Sequence, residues 1–211
     1  MISFDLNDIS SRSKKGETVG EYLIRRKSVD KYLAIMKFIS IPDYSKDSEF
    51  QKKFNTFYGL NVSAGMNKVN FYNMFYKYEK LTSFTYADII NDLNDPNNGT
   101  GRVEKSFASK MLHTFNPNEP IIDSVVLKKL CGDPDTAQFF VGIKKNGSFT
   151  VQESIDLHNA LKKCYSILIQ EAKRKGYFSQ FDNLFPQAKT ISATNKGISD
   201  TKKIDFYLWT M

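Results

Sequence analysis

The sequence predicts an all-α fold, and three stretches carry that prediction. Apolar residues recur every three to four positions from Glu17 to Ser40 and again from Val151 to Lys175, as expected of amphipathic helices. Between them, the segment from Thr100 to Leu130 contains a glycine turn, a short helix, a proline-bounded loop and a second helix that opens on an aspartate. With 211 residues, the chain suits one large domain or two closely packed lobes.

The first half of the chain is predicted to hold several helices after a polar segment over residues 1–15, in which Ser10–Lys15 are expected to form a mobile lead-in. Thr18 or Ser28 is a suitable N-cap for one or two helices before the break at Pro42. The aromatic rings of the predicted helix Val69–Leu81 suit core packing or, alternatively, base stacking. The remaining elements are helices over Ser48–Tyr58, Val69–Leu81 and Tyr86–Leu93, with Thr85 as the last N-cap, and turns at Gly59 and Ser63-Ala64-Gly65.

The second half is dominated by the predicted helix Val151–Lys175, whose basic end precedes a glycine C-cap at Gly176. The segment Phe139-Phe140-Val141 is either extended or the end of a helix. The other predicted elements are turns at 132–135 and 144–148, a short helix over Phe178–Phe185, a polar loop over Ala188–Gly197 and a final helix over Thr201–Trp209.

Charge is the main compositional indication of a partner. The chain has a formal net charge of +7, and residues 101–211 hold 16 lysines and arginines against 11 acidic residues. A basic surface favours nucleic acid, although an ordinary basic protein fits the charge equally well. No apolar run reaches membrane-spanning length, and two cysteines are too few for a disulfide framework or a zinc site. We therefore expect a cytoplasmic protein with no membrane partner, no metal and no cofactor.

The helix that opens the central stretch carries one lysine at the edge of its apolar face. At about 100° per residue, an arc roughly 140° wide holds its five apolar residues, Phe107, Ala108, Met111, Leu112 and Phe115. Lys105 lies about 20° outside this arc, at the boundary between core and solvent, where a lysine packs its stem and keeps its amine free. Lys110 and His113 are expected to point away from the core.

The residues on either side of this helix suit a ligand site. The turn Asn97–Gly101 permits positive φ and a close approach of the backbone to a ligand, and amides at a helix N-terminus bind phosphate. Beyond the helix, Asp123 stands at or next to the N-cap of the next one, whose buried side carries Val126, Leu127 and Leu130. Taken alone, Asp123 can be a simple cap and Lys105 a snorkelling lysine.

Together these residues resemble the helix-hairpin-helix DNA glycosylase superfamily, the endonuclease III and 8-oxoguanine glycosylase group. Ile122-Asp123-Ser124-Val125-Val126 is similar to the family's V-D-x-x-V segment. Lys105 precedes Asp123 by 18 positions, the spacing of the family's Schiff-base lysine. The family hairpin is usually L-P-G-V-G-x-K, whereas this chain has Thr100-Gly101-Arg102-Val103-Glu104-Lys105. The segment that begins at Gly101 also resembles a distant, uncharacterised bacterial branch of the superfamily.

The resemblance implies a single glycosylase-like domain over residues 1–211. Its expected architecture is a two-lobed helical bundle, in which a helix-hairpin-helix precedes the helix of the catalytic aspartate, with the hairpin and site in residues 86–130. No iron–sulfur cluster is expected, because two cysteines cannot supply four ligands. The implied site consists of Asp123 and Lys105 as catalytic residues, and of Thr100, Gly101, Arg102 and Lys110 as contacts to double-stranded DNA.

The function expected from the resemblance is excision of a damaged or modified base from DNA. Asp123 would stabilise the positive charge that builds on the sugar as the bond to the base breaks. If Lys105 attacks the anomeric carbon, the enzyme is also an AP lyase; if it only contacts phosphate, water is the nucleophile. The alternative is a helical DNA-binding module that keeps this fold without the chemistry, for example in phage or mobile-element conflict, since the hairpin departs from the family pattern.

Overall fold

The computed structural model describes residues 2–60, 67–189 and 197–211, and the fold over these residues is all-α, as predicted. The only extended pairing in these ranges is an isolated antiparallel bridge between Ile9 and Thr18. The α-helices are α1 (Val19–Arg26), α2 (Ser28–Met36), α3 (Ser48–Tyr58), α4 (Lys68–Glu79), α5 (Tyr86–Asn94), α6 (Lys105–Phe115), α7 (Ser124–Gly132), α8 (Pro134–Ala137), α9 (Val151–Arg174), α10 (Tyr177–Leu184) and α11 (Asp200–Thr210). Short 3-10 helices cover Lys37–Ser40, Tyr44–Lys46, Gln138–Phe140 and Pro186–Lys189.

The first helical region consists of two helices rather than one. Thr18 caps α1 and forms a capping box with Glu21, which satisfies amides that the first turn leaves free. Lys27 adopts the left-handed conformation with φ of 50°, and this residue separates α1 from α2. Ser28 is therefore the first residue of α2 and not its N-cap.

The start of the chain, predicted to be polar, buries several residues, although most of Ser10–Lys15 is exposed as a lead-in would be. Ile2, Phe4 and Leu6 are buried, whereas Ser3 and Asp5 between them are more exposed. The Phe4 ring lies 5.1 Å from that of Tyr207 in α11. Ser10 is also buried, and its hydroxyl donates to the carbonyl of Thr210 at 2.9 Å. The N-terminal segment therefore packs against the last helix.

Most aromatic residues of α3 and α4 belong to the core. Phe50, Phe54, Phe71 and Phe75 are fully buried, and the ring centroids of Phe50 and Phe54 lie 5.5 and 5.4 Å from that of Phe75. Such tilted and edge-on contacts between rings stabilise a core beyond the area they bury. The described rings of α4 thus favour packing over base stacking.

The last helix lies in the interior instead of docking on the surface. Along α11, all residues from Thr201 to Leu208 are buried, and these include Lys202, Lys203 and Asp205. Trp209 is half-buried. Contacts with α1, α7, α9 and α10 surround this helix. It therefore brings three charged side chains into the centre of the fold.

Several smaller predictions are refined by the structure. Residues 132–135 form the end of α7 and the start of α8, where a turn was predicted. Residues 138–140 form a 3-10 helix that directly follows α8, and Val141 is extended, so Phe139 and Phe140 are the end of a helical segment, as one of the two alternatives had it. The predicted turn at Ser63-Ala64-Gly65 and most of the predicted loop before Gly197 lie outside the described residues. No helix of the described ranges is both long enough and apolar enough to cross a membrane.

Candidate functional site

Asp123 is the N-cap of α7, as predicted from the sequence. Its backbone is extended, and its Oδ1 accepts hydrogen bonds from the amides of Val125 at 2.8 Å and Val126 at 3.4 Å. The preceding residue is anchored by a bond from the amide of Ile122 to the hydroxyl of Ser109 in α6, at 2.9 Å. Both cap bonds use Oδ1, so the second carboxylate oxygen has no hydrogen-bond partner within the described chain.

Asp123 and Lys105 line the same groove, which has a volume of about 780 Å³ between α6 and α7. The groove is also lined by Lys110, Lys128 and Lys145. Among the described residues, the charged lining of this groove thus consists of four lysines and one carboxylate. A cationic groove of this kind attracts phosphate groups.

Lys105 is the first residue of α6 and is half-buried, as its position on the helical projection predicted. Its amine lies 3.9 Å from the centre of the Phe149 ring. Burial lowers the pKa of Lys105, and the nearby ammonium of Lys144 lowers it further, while the carboxylate of Glu104 raises it. The net lowering makes the Lys105 amine easier to deprotonate than that of an ordinary surface lysine.

The turn between α5 and α6 needs its glycines. A Cβ at Gly99 would lie 2.1 Å from the carbonyl oxygen of Asp92, which no side chain tolerates, and Gly101 has φ of +68°. The amides of Gly99 and Thr100 donate to the carbonyls of Asp95 and Leu93, at 2.9 and 2.8 Å. These two amides therefore close the turn and are not available to a ligand.

One further contact holds α5 to α6 at this turn, and an ion pair lies just before α6. The hydroxyl of Tyr86, in the first turn of α5, donates to the carbonyl of Lys105 at 3.1 Å. Arg102 is exposed and lies 3.6 Å from the carboxylate of Glu104. Glu104 is the N-cap residue of α6 and makes no side-chain cap bond. The predicted DNA-contact residues of the turn are thus grouped at the start of α6.

Lys110 and His113 do not point away from the core, and the prediction from the helical projection was wrong. Lys110 is only 8% exposed and His113 is fully buried. The Lys110 amine donates to the carbonyl of Tyr58 at 3.1 Å, and His113 lies between the Tyr32 hydroxyl and the Glu119 carbonyl. The helical projection considers only the residues of α6 itself. Other elements, which include Tyr58 and Glu119, also cover the face of α6 that carries Lys110 and His113.

A second cavity, named the inner pocket, shares lining residues with the groove. Its volume is about 290 Å³, and both Asp123 and Lys110 line it as well as the groove. Its other charged lining residues include Lys202 and Asp205 of α11. Aromatic walls are provided by Phe57, Tyr58, Phe206 and Trp209, and Arg26, Ser28 and Lys31 also contribute. Two carboxylates and two buried lysines therefore meet in one pocket.

Lys202 is held by a carboxylate and by aromatic rings. Its amine donates to Asp205 Oδ2 at 2.6 Å, and both residues are buried. The same amine lies 5.1 Å from the ring centre of Tyr32 and 4.8 Å from that of Phe206. Such ring faces stabilise a desolvated cation. The ammonium of Lys202 is thus kept inside the protein by a paired charge and by its aromatic surroundings.

Lys110 is the amine that is electrostatically coupled to Asp123. Burial lowers the pKa of Lys110, and the carboxylates of Asp123 and Asp205 oppose this by raising it. Lys202 lowers it further, as a like charge does. The pKa of Lys105, by contrast, is set by burial and by the charges of Glu104 and Lys144. The spacing of the motif therefore indicates Lys105 as the partner of Asp123, whereas the lysine whose pKa Asp123 affects is Lys110.

Sequence reasoning missed Lys202 and Asp205. Their only signal is an i, i+3 pair of opposite charges on a short helix whose other residues are largely apolar. Such a pair is usually solvent-exposed, so the pattern alone did not indicate burial. Within the described ranges, no group of three histidine, cysteine or acidic side chains is placed to hold a metal ion.

Comparison of the chain with protein-family models, with curated proteins and with solved structures finds no match.

Proposed function

We propose that the protein is a DNA glycosylase that removes a damaged or modified base and uses Asp123 as its catalytic carboxylate. The observation that carries this proposal is the position of Asp123, between a lysine-lined groove and an inner pocket. The groove suits the sugar–phosphate backbone, and the pocket suits a base that has left the stack. The resemblance to the helix-hairpin-helix glycosylases supports the same assignment.

In the proposed reaction, the bond between the base nitrogen and the anomeric carbon breaks, and its electron pair leaves with the base. Positive charge then builds on the sugar, where the carboxylate of Asp123 stabilises it. The cap bonds from Val125 and Val126 fix the carboxylate before the reaction, so little reorganisation is required. Water then adds to the anomeric carbon, and its proton passes to Asp123 or to solvent.

Lys105 is the proposed amine of a second, lyase activity. Its pKa is lowered by burial and by Lys144, so a larger fraction of the amine is neutral and nucleophilic at a given pH. Attack on the anomeric carbon would displace the base with its bonding electron pair, and opening of the sugar ring, in which O4′ takes a proton, would then give an imine. Strand cleavage then follows by elimination of the phosphate.

The proposed architecture follows from the family resemblance. A single domain of two packed lobes carries α5, the glycine turn and α6 as its helix-hairpin-helix, with α7 as the helix of the catalytic aspartate. Gly101 and Arg102 contact the duplex backbone beside Thr100, whose amide and hydroxyl bond within the turn, and Lys110 contacts the nucleotide from the inner pocket. The proposed location of the protein is the cytoplasm.

A panel of duplexes that each carry one damaged or modified base tests the proposal. Each duplex is incubated with the protein and then treated with alkali, which cleaves the strand wherever a base has been lost. We expect strand cleavage at one or a few of these bases and none in the unmodified duplex. Salt-dependent binding without base release from any duplex would contradict the proposal and favour the alternative, a DNA-binding module with the same fold.

A further inference from the structure

The amine of Lys105 rests on an aromatic ring that comes from the loop before α9. Its Nζ lies 3.9 Å from the ring centre of Phe149. We propose that Phe149 is a positioning residue for Lys105, and that its ring face holds this side chain as an ammonium group beside the groove. The importance of this contact for imine formation rests on the proposed function, but its effect on the amine does not.

Lys105 is held at its backbone and at its amine by two different side chains. Its carbonyl accepts a hydrogen bond from the hydroxyl of Tyr86 at 3.1 Å. At the other end, the amine lies well within the distance of about 6 Å at which a ring face attracts a cation. Lys105 also lines the groove together with Asp123. The ring of Phe149 therefore fixes where the ammonium lies at the edge of this groove.

Phe149 is itself held in place by the start of α9. It packs partly buried against the hydrophobic core and directly precedes Thr150, the N-cap of this helix. The carboxylate of Glu153 accepts hydrogen bonds from the amide of Thr150 at 2.8 Å and from the amine of Lys144 at 3.0 Å. Because this capping box fixes the backbone beside Phe149, the ring has a defined position although it ends a loop.

The ring opposes the effect of burial on Lys105. Burial has the largest effect and lowers the pKa of Lys105, Lys144 lowers it further, and Glu104 raises it. A ring face attracts the ammonium form and not the neutral amine, so Phe149 favours the charged form. The ring lies 5.4 Å from Lys144 as well, but that amine is already paired with Glu153 at 3.0 Å. The other charged residues that line the groove are Lys110, Asp123, Lys128 and Lys145.

Competitive labelling of the lysines tests this contact without any need for catalysis. The full-length protein reacts with a trace of acetic anhydride over a range of pH, and peptide mass spectrometry gives the labelled fraction of Lys105. Since only the neutral amine reacts, this curve gives its pKa. Phe149 is replaced by phenylalanines that carry one, two or three fluorine atoms, which keep the shape of the ring but withdraw electron density from its face. We expect the pKa of Lys105 to fall stepwise, by about half a unit to one unit over the series.

Ordinary substitutions supply the controls. Phe149→Leu removes the ring face and should lower the pKa of Lys105, whereas Phe149→Tyr keeps a ring face and should leave it close to that of the wild type. Phe84→Leu is the matched control, because Phe84 is also partly buried against the core but packs on the rings of Tyr78 and Phe115. Lys128, an exposed lysine of the same groove, is an internal control in every sample.

The fluorinated series decides the inference even if Phe149→Leu does not fold. An unchanged pKa of Lys105 across the series would overturn it and leave Phe149 a packing role only, whatever Phe149→Leu does. An equal shift in Phe84→Leu would overturn it as well. If the pKa falls as expected and the imine forms, borohydride trapping should move to lower pH by the same amount. A stepwise fall in a protein that releases no base would support the inference and contradict the glycosylase proposal.

Discussion

The carboxylate of Asp123 raises the pKa of Lys110, and both residues line the groove as well as the inner pocket. This pair is therefore the boundary between the two cavities. Burial has the opposite and larger effect on the pKa of Lys110. The pKa of Lys110 is therefore set by two opposing effects, its burial and the carboxylates that share its pocket.

Imine formation by Lys105 should depend on the charges beside it. Replacing Lys144 by glutamine removes a like charge, so the pKa of Lys105 rises and borohydride trapping of the imine moves to higher pH. Replacing Glu104 by glutamine removes an opposite charge, so the pKa falls and trapping moves to lower pH. Trapping yield against pH measures both shifts. A trapped adduct that persists in Lys105→Ala would exclude this lysine as the nucleophile.

The exposed lysines of the groove should set the salt dependence of DNA binding. Lys128→Ala and Lys145→Ala each remove a cation from the groove wall. The logarithm of the DNA association constant falls as the logarithm of the salt concentration rises. Each substitution should make this negative slope shallower by about 0.9 if its lysine neutralises one phosphate. Fluorescence anisotropy over a range of salt concentrations measures the slope. Lys163→Ala, an exposed position of α9 outside the groove, should leave it unchanged; an equal effect there would contradict the assignment of the groove.

The buried pair of Lys202 and Asp205 should show strong coupling in stability. Lys202→Met leaves a buried carboxylate without its partner and should cost about 3–5 kcal/mol of unfolding free energy. The double variant with Asp205→Leu removes both charges and should recover most of this loss. Urea unfolding of the four proteins of this double-mutant cycle gives the coupling energy. A double variant as unstable as the sum of the single variants would show that the pair does not interact.

Two buried histidines should make the protein sensitive to mild acid. Burial lowers the pKa of His113 and of His158 from 6.5 to about 3, so the folded protein holds both rings neutral. The unfolded chain binds protons on these rings below pH 6.5, and the folded chain does not until about pH 3. Stability should therefore fall as the pH decreases through this window. His113→Gln should reduce the slope of unfolding free energy against pH there, and an unchanged slope would contradict the burial argument.

Local signals predicted most of the helices and the cap of the site. The N-caps Thr85 and Asp123 were identified because each side chain bonds to amides only two or three positions away. The helix α9 was predicted almost to its last residue, since its apolar period and its basic C-terminus both depend on nearby residues. These interactions require no knowledge of the rest of the fold.

The inner pocket was not predictable in the same way. Lys110 is buried because its amine reaches the carbonyl of Tyr58, 52 positions earlier, and Lys202 because α11 lies in the interior. Helical projection considers one helix at a time and assigns charged residues to solvent. Long-range packing overrules that assignment at Lys110 and also buries Lys202, and these two residues give the pocket its buried positive charge.

The most direct measurement of the central claim compares base release by the wild-type protein and by Asp123→Asn. Asparagine is also a good N-cap, so α7 and the folded state should be retained, whereas Asp123→Ala should cost about 0.5–2 kcal/mol of stability. On the duplex that the wild type cleaves, we predict loss of base release in Asp123→Asn with unchanged duplex affinity. Base release at the wild-type rate by Asp123→Asn would contradict the role of this carboxylate.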